Sequence, residues 1–339
     1  MRAADASTGQ APLLQVEDLT VHFQTDRGGV CAVDGVSFSL RAGETLGIVG
    51  ESGCGKSVTA LSLLGLHPAR GTRIGGHIRF DGTELVGAPP STLRRIRGGE
   101  IAMIFQEPMT ALNPVFTIGS QLVEVIRRHR GLSGRAAREL AADVLGRTGI
   151  AQPRERLKQY PHELSGGMRQ RVLIAMALAC DPKMLIADEP TTALDVTTQA
   201  QVLEQMRELQ QQTGMAMLLI THDLGVVAEL CERAVVMYCG QIVEAAPVVR
   251  LFDAPRHPYT AGLLASMPRI REAPIPELPV IPGTVPDLAD PPSGCRFAGR
   301  CPRVQDDCRT VAPPLRTGAD DTAWACHHPL EAPTPAGKS

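Results

Sequence analysis

In Val36-Ser37-Phe38-Ser39-Leu40 apolar and polar positions alternate, which predicts a strand with one buried face. Thr45 to Val49 is a short apolar run that stops at Gly50, the pattern of a buried strand feeding a glycine loop. Residues 13–49 as a whole read as strands separated by turns, and Ile74 to Phe80 followed by Asp81-Gly82 adds a strand and a turn. Ile101 to Phe105 is a further strand candidate. From about 118 to 150 the period lengthens: Leu122, Val125 and Ile126 share one helical face, and Leu140, Val144 and Leu145 share the face of the next helix. Two more strands, Met184–Ala187 and Met215–Ile220, flank a helix carrying Val202, Met206 and Leu209 at i, i+4 and i+7. Strands alternating with helices predict an α/β core with a largely parallel sheet. No internal repeat is visible, so one such core is expected.

After about 250 the pattern breaks. Pro255, Pro258, Pro268, Pro274, Pro276, Pro279, Pro282, Pro286, Pro291 and Pro292 rule out long helices and central strands there, and 268–293 reads as an extended connector on the surface. Composition then excludes several classes. With 43% hydrophobic residues and a net charge of −2, the chain is not disordered as a whole. The near balance of 34 Lys+Arg and 36 Asp+Glu leaves no bulk positive field for nucleic acid. The apolar run Val172–Cys180 is far short of the ~20 residues a membrane helix needs. The N-terminal MRAADASTGQAP lacks the apolar core of a secretory signal.

Gly50-Glu51-Ser52-Gly53-Cys54-Gly55-Lys56-Ser57 fits G-x-x-x-x-G-K-[ST] and stands between an expected strand and an expected helix. Such a loop turns consecutive backbone N–H groups into one concavity that cradles phosphate oxygens at a helix N-terminus. Lys56 is expected to reach the β- and γ-phosphates and the Ser57 hydroxyl to ligate Mg²⁺. The chain has only four lysines, at 56, 158, 183 and 338, so the compact ammonium at this position stands against a strong drift to arginine.

Met184-Leu185-Ile186-Ala187-Asp188-Glu189-Pro190 is an apolar strand ending in two acids, which places carboxylates at the C-terminal edge of a sheet, where ligands of open α/β sheets bind. Asp188 is expected in the Mg²⁺ shell and Glu189 as the group that polarises the attacking water. Between the two motifs, Leu164-Ser165-Gly166-Gly167-Met168-Arg169-Gln170-Arg171 opens a helix with free N–H groups and a positive dipole end turned toward an anion. A second anion-binding terminus in one chain makes sense if it faces a nucleotide held by another subunit.

The ordered set of phosphate loop, LSGGM, LIADEP, Ala193-Leu194-Asp195 and Thr221-His222-Asp223 resembles the ATPase subunits of ABC transporters, over essentially residues 13–330. The resemblance implies an α/β P-loop NTPase core, with a RecA-like parallel sheet, an antiparallel β subdomain and a helical subdomain at about 107–170. On this reading 13–255 is the nucleotide-binding domain, 256–330 a small proline- and cysteine-rich extension, and 1–12 and 331–339 flexible ends. It also implies a head-to-tail dimer in which ATP lies between one subunit's phosphate loop and the other's Ser165, Gly166, Gly167 and Met168. Position by position, Gln106 resembles the catalytic Q-loop glutamine, which joins Ser57 and Asp188 at Mg²⁺ and contacts the membrane subunits, Asp195 the D-loop aspartate, and His222 the switch histidine at the γ-phosphate. Phe23 resembles the aromatic that stacks on adenine, and as a lone aromatic on a strand it equally suits a core position. His67, His77 and His162 match nothing catalytic. A nucleic-acid-associated relative would carry two cassettes or a long insertion, whereas 107 residues separate Ser57 from Ser165, enough for a compact helical subdomain. A metal- or redox-sensing protein with a decayed ATPase conflicts with the intact Lys56, Ser57, Asp188, Glu189 and His222.

Phe105-Gln106-Glu107-Pro108-Met109-Thr110-Ala111-Leu112-Asn113-Pro114 is similar to the stretch after the Q-loop in oligopeptide/dipeptide importers. His257-Pro258-Tyr259-Thr260, Leu263-Leu264, Ile281-Pro282-Gly283 and Gly294-Cys295-Arg296-Phe297 are similar to the C-terminal extension of the same subfamily. Nickel importers resemble the core but generally lack the terminal cysteines, so peptides are the expected cargo and nickel or another small solute the alternative. The resemblance implies two membrane permeases, a related second ATPase chain, an external peptide-binding protein, and a location on the cytoplasmic face of the membrane.

Of nine cysteines, Cys31, Cys54, Cys180, Cys231 and Cys239 are scattered among apolar stretches and read as small buried hydrophobes. Cys295, Cys301, Cys308 and Cys326 crowd the end with C-x₅-C-x₆-C-x₁₇-C spacing. Four thiolates can hold a [4Fe–4S] cluster, one per iron, or a tetrahedral Zn²⁺. Zinc sites favour tighter C-x₂₋₄-C pairs, although His327 and His328 keep a Cys₃His site open, as are free or disulfide-linked cysteines. The extension that this segment resembles carries an iron–sulfur cluster.

Overall fold

Alternating strands at the N-terminal end pair as their patterns require. In the computed structural model, which describes residues 11–26, 28–106, 111–192, 194–268, 279–318 and 321–331, β1 (Leu14–Thr25) buries Leu14, Val16, Leu19 and Val21. It lies antiparallel to β4 (Thr72–Phe80), from Leu14 opposite Phe80 to Phe23 opposite Thr72, with a register shift between Glu17 and Thr20. β2 (Gly28–Leu40) and β5 (Thr83–Glu84) complete a four-stranded sheet in the order β2-β1-β4-β5. Glu107 to Thr110, Ala193, the connector's 269–278 and both chain ends lie outside the described residues.

The chain divides into two compact units. The first comprises 1–39, 46–86 and 221–339, so everything after 256 belongs with the phosphate loop. Beside its antiparallel sheet it holds β3 (Thr45–Val49), parallel to β9 (Arg233–Tyr238) with Ile48 opposite Val235. β9 turns back into β10 (Gln241–Pro247) through Cys239 and Gly240, with φ of +47° and +82°. Two successive positive φ values match the right-handed twist of a hairpin, as in a type I′ turn. The short strands β11 (Arg316–Thr317) and β12 (Ala323–Trp324) add to the β10 edge. The helices of this unit are α1 (Lys56–Leu63), α8 (Leu224–Leu230), α9 (Val248–Asp253), α10 (Pro258–Ala265) and α11 (Asp306–Thr310). Residues 279–293 contain no helix or strand, as the prolines require.

The second unit, 40–45 and 87–220, is built on three parallel strands, β6 (Ile101–Ile104), β7 (Met184–Asp188) and β8 (Ala216–Thr221), with β7 in the middle and buried at every position. After α2 (Pro90–Ile96), its helical part is α3 (Ile118–Arg130), α4 (Gly134–Arg147), α5 (Pro153–Arg156), α6 (Gly166–Leu178) and α7 (Val196–Thr213). α3 starts where the Thr117 side chain accepts from the Ser120 N–H, buries Ile118, Leu122 and Ile126, and stops at Gly131 in the left-handed region. α7 buries Val202, Met206 and Leu209, the face the spacing predicts.

Candidate active site

β3 ends at Gly50, where the chain turns into the phosphate loop. Gly50 (φ +155°) and Gly55 (φ +100°) have no room for a side chain: an added Cβ would stand 2.2 Å from the Met237 carbonyl oxygen and 2.6 Å from that of Ala32. The loop therefore lies directly on the β9–β10 hairpin and β2. Gly55 caps α1 in the left-handed conformation, and Lys56 and Ser57 open the helix. The Lys56 ammonium is buried and donates to the carbonyls of Gly50 (2.7 Å) and Glu51 (3.0 Å). Burial pushes the Cys54 thiol up, opposed by the adjacent Lys56. Phe23 is half-buried on β1, its ring edge-on to His67 at 5.3 Å. His67 itself bonds Ser62 and the Val58 carbonyl. His222 is exposed ahead of α8, whose N-terminus is capped by Asp223.

In the second unit, β7 carries Asp188 to its end in a buried position, and the next residue, Glu189, has φ +47°. A non-glycine residue held in that region costs of order 1–3 kcal/mol and persists where its surroundings hold it, commonly at functional sites. Here its N–H donates to the Ile220 carbonyl at 2.8 Å, and its Oε2 accepts from Gln106 Nε2 (3.0 Å) and Thr192 Oγ1 (2.9 Å). Gln106 and Glu189, 83 residues apart, are thus brought together. Thr192 had no signal in the sequence beyond being a polar residue after the acidic pair.

Ser165 is the N-cap of α6, its Oγ accepting from the Met168 N–H at 3.3 Å, and Ser165 and Gly166 are exposed. Gly167 faces Thr198, whose Cγ2 would be 2.6 Å from an added Cβ. Asp195 caps α7, accepting from the Thr198 N–H at 3.0 Å and the Thr198 hydroxyl at 2.7 Å. These bonds hold its carboxyl below the usual carboxylate range.

Cys295, Cys301, Cys308 and Cys326 all line one small cavity with Phe297 and Ala298. Burial pushes the thiols of Cys295, Cys301 and Cys326 up, Cys326 to about 11, and neighbouring sulfurs push in the same direction. Cys301 Sγ accepts from the Arg303 N–H at 3.4 Å. Among the described residues, the one set of three ligand groups with donor atoms within 4.8 Å of one another is Asp307, Cys308 and His328, which contains only one of the four cysteines. A tetrahedral zinc, with Zn–S of about 2.3 Å, would hold sulfurs within about 4 Å of each other. No three of the four cysteine sulfurs lie within 4.8 Å of one another.

Arg300 and Asp34 were not singled out in the sequence, and neither was any pairing between the early part of the chain and the segment after 256. Arg300 pairs with Glu51, the Tyr259 hydroxyl accepts from the Glu51 N–H at 2.9 Å, and Arg296 pairs with Asp34 and the Cys239 carbonyl.

The ABC transporter family profile matches residues 33–192, and that of the oligopeptide/dipeptide transporter C-terminal region matches 243–308. A Brucella abortus protein named for peptide import and ATP binding is 54% identical over 298 residues, 88% of this chain and 90% of its own length. The oligopeptide transport ATP-binding protein AppD of Bacillus subtilis is 52% identical over 315 residues, 93% of this chain and 96% of its own. Among solved structures, the dimeric ATP-binding cassette MJ0796 in a post-hydrolysis state with ADP and Pi is 26% identical, with a TM-score of 0.62 over 69% of this chain and 98% of that one.

Proposed function

The chain belongs to the ATP-binding subunits of ABC transporters, in the branch named for peptide import, and from that premise we propose how its residues divide the work. It is an ATPase whose turnover drives peptide import through membrane permeases. The observation that carries the cargo is the oligopeptide/dipeptide C-terminal region, attached at 243–308 to a cassette with its acidic pair and phosphate loop intact.

Residues 13–255 form the nucleotide-binding domain, with the helical part at about 107–170, and 256–330 the extension. Gly50 to Ser57 wrap the phosphates and Lys56 neutralises their charge. Ser57 and Asp188 hold Mg²⁺, which when bound offsets phosphate charge, and Gln106 reports its presence. Glu189 receives the proton of the attacking water, His222 contacts the γ-phosphate, and Phe23 stacks on adenine. Ser165 to Met168 and Asp195 address the ATP of a partner subunit. Phosphoryl transfer needs positioning and charge placement more than covalent chemistry, and these groups supply both.

No helix among the described residues is long and apolar enough to cross a membrane. The subunit sits on the cytoplasmic face of the membrane, attached through permease subunits. Two permeases, a related second ATPase chain and an external peptide-binding protein complete the assembly. The helical unit offers a groove of about 1540 Å³, lined by Phe116, Arg127, Arg128 and Arg138, with Val115 (71% exposed) and Phe116 (53% exposed) at the surface. Such apolar and basic lining suits a permease segment with apolar and acidic side chains. Cells deleted for the chain are expected to lose uptake of labelled di- or pentapeptides. Restoring Phe116→Asp should leave basal hydrolysis by the purified chain within about twofold, as a surface change does, while uptake stays absent. Normal peptide uptake in the deletion strain would overturn the cargo, with nickel uptake the next assay.

The four cysteines are proposed to hold a [4Fe–4S] cluster, which ties together a segment with little apolar surface of its own. Cys295, Cys301, Cys308 and Cys326 would each supply one thiolate. Anaerobically purified protein should contain about four iron and four sulfide per chain, and Cys301→Ser should lose them and expose 279–331 to protease. Stoichiometric zinc without sulfide would assign the site to Zn²⁺ instead.

A further inference from the structure

Arg300 stands immediately before Cys301 and reaches Glu51 in the phosphate loop, 249 residues away. The residue is 8% exposed, and each of its five N–H donors has an acceptor. Nη1 donates to Glu51 Oε2 (2.6 Å) and the Tyr238 hydroxyl (3.3 Å), and Nη2 to Glu51 Oε1 (2.9 Å) and the Ile281 carbonyl (3.3 Å). Nε donates to the Pro282 carbonyl at 2.8 Å. A two-pronged pair of this kind fixes orientation as well as charge. Glu51 is held on its other sides too: its N–H by the Tyr259 hydroxyl, its carbonyl by Lys56. Two of these anchors, Arg300 and Tyr259, come from beyond 256.

The electrostatics give the pair a direction. Without Arg300, the Glu51 carboxylate would stand uncompensated in the loop that receives a triphosphate, repelling it, and the loop would lose its outer tether. Arg300 does not touch the reacting phosphorus, so its loss falls on nucleotide affinity rather than on the chemical step. We propose that Arg300 is a positioning residue for the phosphate-binding loop, and that through the Arg300–Glu51 pair the order of the cysteine segment sets nucleotide affinity. This rests on the reading of Gly50–Ser57 as the ATP site.

The test uses the full-length chain, with mant-ATP binding followed by fluorescence and steady-state hydrolysis measured across ATP concentrations. Arg300→Gln should raise Kd for mant-ATP and KM by about tenfold or more, the loss of a charged hydrogen-bonded pair, while kcat stays within about threefold. Adding Glu51→Gln to that variant should recover most of the affinity, because the bare carboxylate is removed. Arg300→Lys, which keeps the charge but cannot form the fork, should fall between wild type and Arg300→Gln. Cys301→Ser should raise Kd in the wild-type background and add nothing in the Arg300→Gln background. Should Arg300→Gln fail to fold by circular dichroism, the Arg300→Lys and Cys301→Ser titrations carry the same test. Wild-type Kd in these variants, or a double variant weaker than Arg300→Gln, overturns the proposal. Lys56→Ala is the control: mant-ATP binding that survives it unchanged would overturn the ATP-site reading and not the pair.

Discussion

Glu189→Gln should still bind ATP while hydrolysis falls by about 10²–10⁴-fold, the usual worth of a positioned acid–base group. The substitution preserves size and leaves the Oε acceptor that Gln106 and Thr192 use, so the fold and the φ +47° backbone are kept. What it removes is the ability to take a proton. The two hydrogen bonds aim the carboxylate, and the buried β7 strand beneath it prevents the end of the chain segment from relaxing. Phosphate release at saturating ATP, read beside mant-ATP retention, checks the result. Full turnover in the variant would move the base to another residue.

Phe297→Ala should cost about 3–5 kcal/mol, the range for removing a large buried aromatic side chain. Only 3% of this chain is aromatic, yet Phe297 lies 5.2 Å from Tyr238, 5.3 Å from Tyr259 and 5.7 Å from His257, ring centre to ring centre. At 2% exposure it sits at the centre of these three rings, and such edge-on and tilted pairs add about 0.5–1.5 kcal/mol each beyond burial. Burial also pushes His257 strongly down, so the imidazole is neutral and its Nδ1 accepts the Tyr259 N–H at 3.0 Å. Loss of Phe297 should loosen α10 and 295–301 first. Thermal melts with amide exchange on 257–264 and 295–301 measure this, and unchanged protection there would mean that the ring is not what seats the extension.

Local features were legible before the structure. The phosphate loop, the β7 acids and the α3 and α7 faces are written in neighbouring residues, where alternation, helical period and glycine act over a few positions. Asp195 was assigned by its place in a motif, and the structure adds its work as the α7 cap. Phe23 stood open between stacking and core, and it is half-buried beside His67. The four cysteines were a count and a spacing; their convergence on one cavity depends on a chain path that prolines leave unpatterned. Least legible was the Glu51–Arg300 pair. Nothing local marks an arginine whose partner lies 249 residues earlier, and in a chain with so many arginines its type carries no signal.

The Lys56 ammonium has one more consequence. Its two carbonyl partners belong to the same loop, so the charge is never stranded in the interior whether or not a phosphate is at hand. On the proposed assignment, an arriving phosphate would displace those oxygens, and its departure would return the ammonium to them. This competition would make affinity lower than a bare buried cation would give. A motor that must discard its spent fuel on every stroke is served better by a grip that opens easily than by one that holds on.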